Sequence, residues 1–152
     1  MRILGDVPNP PVPLTDDTAE APEVTSGELM LVDGNSLAYR AFFALPDTIS
    51  TADGFPTNAL YGLAAMMMKV VTEERPSRVV VCWDAPGKNF RHEAYPEYKA
   101  GRATTPDLFR EQSVHFRPLM EAFGFVNTEL VGFEADDLIG TLARRAEEAG
   151  ER

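Results

Sequence analysis

The chain has 152 residues, enough for one domain or for a piece of a larger protein, and 44% of them are hydrophobic, enough for a real core. A formal net charge of −10 argues against a nonspecific binder of phosphate, but the charge is uneven: residues 1–28 and 103–152 each carry −5, while 29–102 balance. The single cysteine, Cys82, makes no intrachain disulfide, which fits a reducing cytoplasm; no charged start followed by an apolar stretch marks a signal peptide, and no apolar run approaches the ~20 residues that span a bilayer.

In chain order, residues 1–28 are rich in Pro, Asp, Glu and Thr and predict a disordered acidic leader. The run Leu29-Met30-Leu31-Val32-Asp33 predicts a buried strand, followed by Gly34-Asn35 and a helix from Ser36, as its N-cap, to about Ala44. Residues 46–56, with Asp53-Gly54, predict a loop. Leu60, Leu63, Met67, Val70 and Val71 recur at helical spacing and predict an amphipathic helix over 58–74, broken by Pro76-Ser77. A second strand covers 78–83, and Cys82 within it is a packing residue. The polar stretch 85–105 is long for a structureless connection, and such stretches are often functional. Thr105-Pro106 is a start signal for a helix over about 106–123, with Thr105 as N-cap and Pro106 at the first position. Pro118 should kink or divide it, and Gly124 should end it. A short strand over 125–130 and a helix from about Glu134 to Glu148 complete the order, which predicts an α/β fold with a parallel-rich sheet.

Acidic residues stand at three of these boundaries. Asp33 and Asp84 end two apolar strands, and Glu134, Asp136 and Asp137 open the last helix. Ligands of open parallel sheets bind outside the carboxyl ends of the strands, so the three stations can converge there. Hard oxygen ligands without a His or Cys cluster select Mg²⁺ or Mn²⁺. Each acid by itself could be a turn or helix-capping residue; the three stations together fit a metal site better. His92 and His115 lack partners at ligand spacing.

A second constellation runs Lys88-Asn89-Phe90-Arg91-His92-Glu93-Ala94-Tyr95-Pro96-Glu97-Tyr98-Lys99-Ala100-Gly101-Arg102. Cations that can neutralise phosphates alternate with rings that can stack on unpaired bases. A solvated basic loop would read the same way.

Six ordered stretches give a resemblance: Leu31 to Phe42 (LVDGNSLAYRAF), Pro56 to Gly62 (PTNALYG), Trp83-Asp84-Ala85, Phe90-Arg91-His92-Glu93, Tyr95 to Arg102 (YPEYKAGR) and Gly132 to Asp137 (GFEADD). Over about 29–152 the chain resembles the 5′→3′ exonuclease domain of bacterial DNA polymerase I, of the flap-endonuclease family, with a PIN-like, resolvase-like fold. The resemblance implies that Asp33, Asp84, Glu134 and Asp136 surround a first metal ion, with Asp137 adjacent. It implies that Lys99 and Arg102 act with Asp84 in catalysis by contacting the scissile phosphate from the base of an arch over about 86–105. It further implies that Arg40 and Arg91 bind DNA phosphates and that Tyr98 lies near the displaced nucleotide. The implied reaction is metal-dependent cleavage of 5′ flaps and 5′ ends of DNA, RNA-primer junctions included, with a polymerase module possible elsewhere and no membrane partner.

The family continues past the last helix with further metal-binding acids and a duplex-binding region, whereas this sequence stops at Arg152. The expectation is therefore a C-terminally truncated domain that cleaves poorly alone. A non-catalytic DNA-binding fragment and an inert partial product stand as rival readings. The arch is expected to project from the body, mobile or partly helical.

Overall fold

The computed structural model describes residues 28–151. The predicted leader lies outside these residues except for Glu28. The elements are β1 (Leu29–Asp33), α1 (Gly34–Ala44), α2 (Asn58–Glu74), β2 (Arg78–Cys82), α3 (Phe90–Ala94), α4 (Asp107–Ser113), α5 (Phe116–Ala122), β3 (Val126–Thr128) and α6 (Ala135–Glu148). The three strands form one parallel sheet in the order β1-β2-β3. Asp33 pairs in register with Cys82, and Cys82 with Thr128, so all three strands point their carboxyl ends the same way.

Alternation along the strands divides the two faces. Val79, Val81 and Trp83, with Met30 and Val32 partly buried beside them, join a core built from Ala38, Ala41, Phe42, Leu63, Met67, Phe109, Phe116 and Met120. Residues of opposite parity include Val80, the buried Cys82 and Arg78, whose guanidinium pairs with Glu151 just beyond α6. The packing of α6 on β1 and β2 follows from this division. The helix side of the core is aromatic: Tyr39 stacks on Phe109 at 4.0 Å, Phe42 meets Phe109 edge-on and Trp83 lies parallel to Phe116. Such offset and edge contacts add to the area these rings bury.

Several local expectations change. Asp33, not Ser36, caps α1: it has extended backbone and accepts the Ser36 N–H at 2.8 Å and the Ser36 hydroxyl at 2.6 Å. An aspartate at the end of a strand is already placed to satisfy the first free N–H groups of the next helix. Thr105 does not cap the next helix either. Its hydroxyl bonds the Tyr39 hydroxyl at 2.8 Å, and Pro106 is the capping position of α4. The expected helix over 106–123 divides at Val114-His115 rather than at Pro118. Pro118 falls in the first turn of α5, where a missing N–H costs nothing. The third strand spans three residues instead of six, because Leu130 accepts the Phe133 N–H in a turn directly afterwards.

The start of α2 has no side-chain cap of its own. Instead the fully buried Gln112, from α4, accepts the N–H groups of Ala59 and Leu60 and donates to the side-chain Oδ1 of Asn58. Asn58 in turn donates to the Phe42 and Leu45 carbonyls at the end of α1. This satisfied buried network joins three helices.

Gly34 opens α1 hard against the Trp83 ring: a Cβ there would lie 2.6–2.8 Å from ring atoms. The close approach of Asp33 to the chain just past β2 therefore depends on a residue with no side chain. Gly34→Ala should lower stability by about 1–3 kcal/mol, the usual cost of overpacking. Urea unfolding should show it, together with a changed emission from Trp83, the chain's single tryptophan. Unchanged stability and emission would show that the ring can move aside freely.

Candidate metal and nucleic-acid site

Parallel register brings Asp33 and Asp84 to one end of the sheet, and the turn after β3 returns the chain there to start α6 with Glu134 at its N-cap. Asp84, just past β2, accepts the Ala135 N–H at 2.8 Å through Oδ1 and the Asn35 amide at 3.3 Å through Oδ2. The first of these places a carboxylate at the positive end of α6, where it satisfies a free N–H. The second ties the beginning of α1 to the end of β2.

Glu134 is 8% exposed, yet both of its carboxylate oxygens are occupied. Oε1 accepts the Asn89 amide at 2.6 Å and the Lys99 ammonium at 2.5 Å, and Oε2 accepts the Tyr98 hydroxyl at 3.1 Å. Burial alone would raise this carboxyl, but the Lys99, Tyr98 and Asn89 donors outweigh it and hold the group below the ordinary carboxylate range. Asp137 turns back one helical turn to accept the Glu134 N–H at 2.9 Å and takes both forks of Arg91 at 2.7 Å. The hydrogen bonds from Arg91, working against burial, bring the Asp137 carboxyl down to about 2, and the same contact pushes the Arg91 guanidinium above its usual value. Asp136, between them, is exposed.

The basic and aromatic stretch is thus folded onto the acids. Asn89 caps α3, with its Oδ1 accepting the Arg91 and His92 N–H groups while its amide holds Glu134. After α3 the chain makes successive four-residue turns at Tyr95–Tyr98, Glu97–Ala100 and Lys99–Arg102. The segment is partly helical as expected. Two of its cations, Arg91 and Lys99, tie it to the body through carboxylate partners there. Arg102 and Arg40 are exposed, with no ion pair among the described residues; Arg40 lies on α1 beside Asp33 and Ser36, lining a cavity of about 400 Å³.

Asp84, Glu134, Asp137, Arg91, Tyr98 and Lys99 therefore meet partners within one region, whereas Asp33 is engaged by Ser36 at the α1 cap and Asp136, Arg40 and Arg102 are exposed outside that network. Among the described residues no three His, Cys, Asp or Glu groups stand together as a ready metal cage. The acids at this end of the sheet offer carboxylate oxygen, the donor type a hard divalent cation takes, and the Lys99 ammonium already sits on one of them, the buried Glu134. Asn35 and Asn89 escaped the sequence reading. Asn89 had a usable signal, an Asn immediately before a short helical stretch. Asn35 had none, since its partner is 49 residues away.

The Asp137–Arg91 pair gives a pH dependence. The folded carboxyl titrates near 2 against an ordinary 3.8, so the unfolded chain takes up the proton first as pH falls. The stabilisation is complete above about pH 4 and lost as pH drops through about 2. Urea midpoints across this range should fall less steeply for Asp137→Asn than for the parent chain, and the variant should be the less stable of the two at neutral pH. Parallel curves would mean that the pair contributes nothing.

Comparison with known proteins agrees with this architecture. DNA polymerase I of Bacillus subtilis (strain 168) is 50% identical over 123 residues, covering 81% of this chain, and the chain spans only 14% of that relative's length. Two solved structures share the fold at low identity. The T5 protein co-crystallized with metal ions has a TM-score of 0.58 at 23% identity, over 78% of this chain and 44% of its own. The T5 flap endonuclease in a pseudo-enzyme-product complex with DNA and metal ions has a TM-score of 0.57 at 20% identity, over 80% and 45%. The family model for the 5′-3′ exonuclease, N-terminal resolvase-like domain, matches residues 28–152. A parallel α/β sheet with its acids gathered at the carboxyl ends, and a matching family model over four-fifths of the sequence, make this chain a member of the 5′-3′ exonuclease family through its N-terminal resolvase-like domain.

Proposed function

We propose that this domain hydrolyses phosphodiester bonds at the 5′ ends and 5′ flaps of DNA, RNA-primer junctions included, with Mg²⁺ or Mn²⁺. The observation that carries the reading is a juxtaposition: acids from three elements share one end of the sheet, and a cationic, aromatic segment lies directly on them. Family membership supports it, and so do the metal ions and DNA found with the T5 proteins. A place in bacterial replication and repair, in the cytoplasm and beside a polymerase module, accords with relatives that are DNA polymerase I. No helix among the described residues is long and apolar enough to cross a membrane.

Asp33, Asp84, Glu134 and Asp136 would hold the ion, with Asp137 beside them. When bound, it supplies an activated water and a counter-charge for the phosphate. The protein's part is positioning. The α6 N-terminus and Asn35 orient Asp84, and Asn89 orients Glu134. Lys99 and Arg102 stabilise charge on the scissile phosphate, where fixed donors act most strongly. Arg40 and Arg91 meet flanking phosphates, and Tyr98 offers a stacking face to an unpaired base.

Calorimetry should show Mn²⁺ binding that Asp84→Ala abolishes; binding that survives this change would point to other surface acids. In any chain carrying this domain, Lys99→Ala should slow cleavage of a 5′-flap DNA by about a hundredfold or more while changing DNA affinity little, as expected for a donor that acts on developing charge. Equal losses in cleavage and affinity would make Lys99 a docking cation only.

A further inference from the structure

Lys99 carries three features that its phosphate-binding role does not require. Its ammonium is 2.5 Å from Oε1 of a carboxylate that is almost fully buried. Its side chain is only 22% exposed, unusually low for a lysine. Its backbone has φ of +61°, a left-handed conformation that non-glycine residues seldom adopt and that tends to persist only where surrounding contacts enforce it. Those contacts are on the page: Tyr98, one residue earlier, bonds the other oxygen of the same carboxylate, and the ammonium also lies 5.2 Å from the Tyr98 ring centre. Tight turns on both sides hold the pair in place. Asn89 reaches Glu134 independently, from the rigid start of α3.

We propose that Lys99 is a placeholder cation: with no metal bound it neutralises Glu134 and latches residues 95–102 onto the site, and a divalent ion entering the site displaces it. This inference rests on the metal-site reading given above. A buried carboxylate needs counter-charge: Arg91, held by Asp137, stands 3.7 Å from the other oxygen of Glu134, and Lys99 supplies the closer charge, the one that can leave. Asn89 stays, so Glu134 keeps its orientation through the exchange. Displacement frees the ammonium and its segment to reach a phosphate. Because coupling between two binding events is reciprocal, capture of Lys99 by DNA phosphate in turn opens Glu134 to the metal. Metal and substrate then bind cooperatively through Lys99, beside any direct contact between the ion and the phosphate.

The test uses Mn²⁺ as probe, by calorimetry, with amide exchange of residues 95–102 followed alongside. Lys99→Met should bind Mn²⁺ roughly tenfold more tightly than the parent, since a site open in one molecule in ten binds about tenfold more weakly than one always open. Arg102→Met removes an equal charge nearby but no contact to Glu134, and should leave the affinity close to the parent's. In the unaltered chain, saturating Mn²⁺ should accelerate exchange at Tyr98, Ala100 and Arg102, a readout that needs no variant. Affinity that is unchanged or weaker in Lys99→Met, equal tightening in both variants, or exchange that slows with Mn²⁺ would overturn the latch. If Mn²⁺ binding remains Asp84-dependent in those cases, only the latch fails. If the parent chain binds no Mn²⁺, the metal-site reading fails and takes the latch with it.

Discussion

A carboxylate taken out of water must be matched by donors, and in this domain that requirement organises everything around Glu134. The residue stands at the mouth of α6, nearly buried, and draws to itself an amide, a phenol and an ammonium from a segment 35 to 45 residues earlier in the chain. Those bonds give the basic segment its path over the sheet. One turn further on, Asp137 does the same for Arg91, so two acid–base contacts fasten the segment at both ends of its run. Charge-assisted bonds of this kind are about twice as strong as neutral ones, and here they act partly screened from solvent.

Such an arrangement needs a stiff frame. The frame is a small parallel sheet whose register sets the heights of Asp33 and Asp84, with an aromatic layer beneath it. Trp83 is central: it follows β2 directly, donates its indole N–H to Asn127 at 2.7 Å, lies against Phe116 and abuts Gly34. The residue before it belongs to the sheet and the residue after it is Asp84. Core packing therefore passes to the site through a single peptide. The same economy appears at α1, where the last residue of β1 is also the helix cap and a proposed metal ligand.

The overall negative charge looks unsuited to the nucleic-acid chemistry proposed for this domain. It becomes intelligible once the site is drawn. Acids concentrated at the strand ends suit the hard cation proposed above, and of the cations proposed to meet phosphate Arg91 and Lys99 are held beside those acids, while Arg40 and Arg102 are exposed. Net charge governs weak, nonspecific association, while a local pattern of this kind governs what docks and where.

The sequence by itself determined the order of elements, the parallel α/β class and the stations of the acids, because hydrophobic periodicity, Gly and Pro punctuation and strand-end carboxylates are all local signals. The ordered motifs from Leu31-Val32-Asp33 to Glu134-Ala135-Asp136-Asp137 were specific enough to indicate the family as well. What lay beyond its reach was competition between partners. Whether Asp33 or Ser36 caps α1, and whether Thr105 caps α4 or bonds Tyr39, depends on which alternative the packed neighbours leave open. The division at Val114-His115 follows from seating Phe109, Gln112 and Phe116 in one core, and the local Pro118 signal could not place it. Only the tertiary structure decided that Glu134 faces Lys99, that Asp137 faces Arg91 and that Asn35 faces Asp84. These partners are 35, 46 and 49 residues apart. Nothing periodic in the chain encodes such pairings, which arise where the sheet's shared end brings unlike charges out of water together.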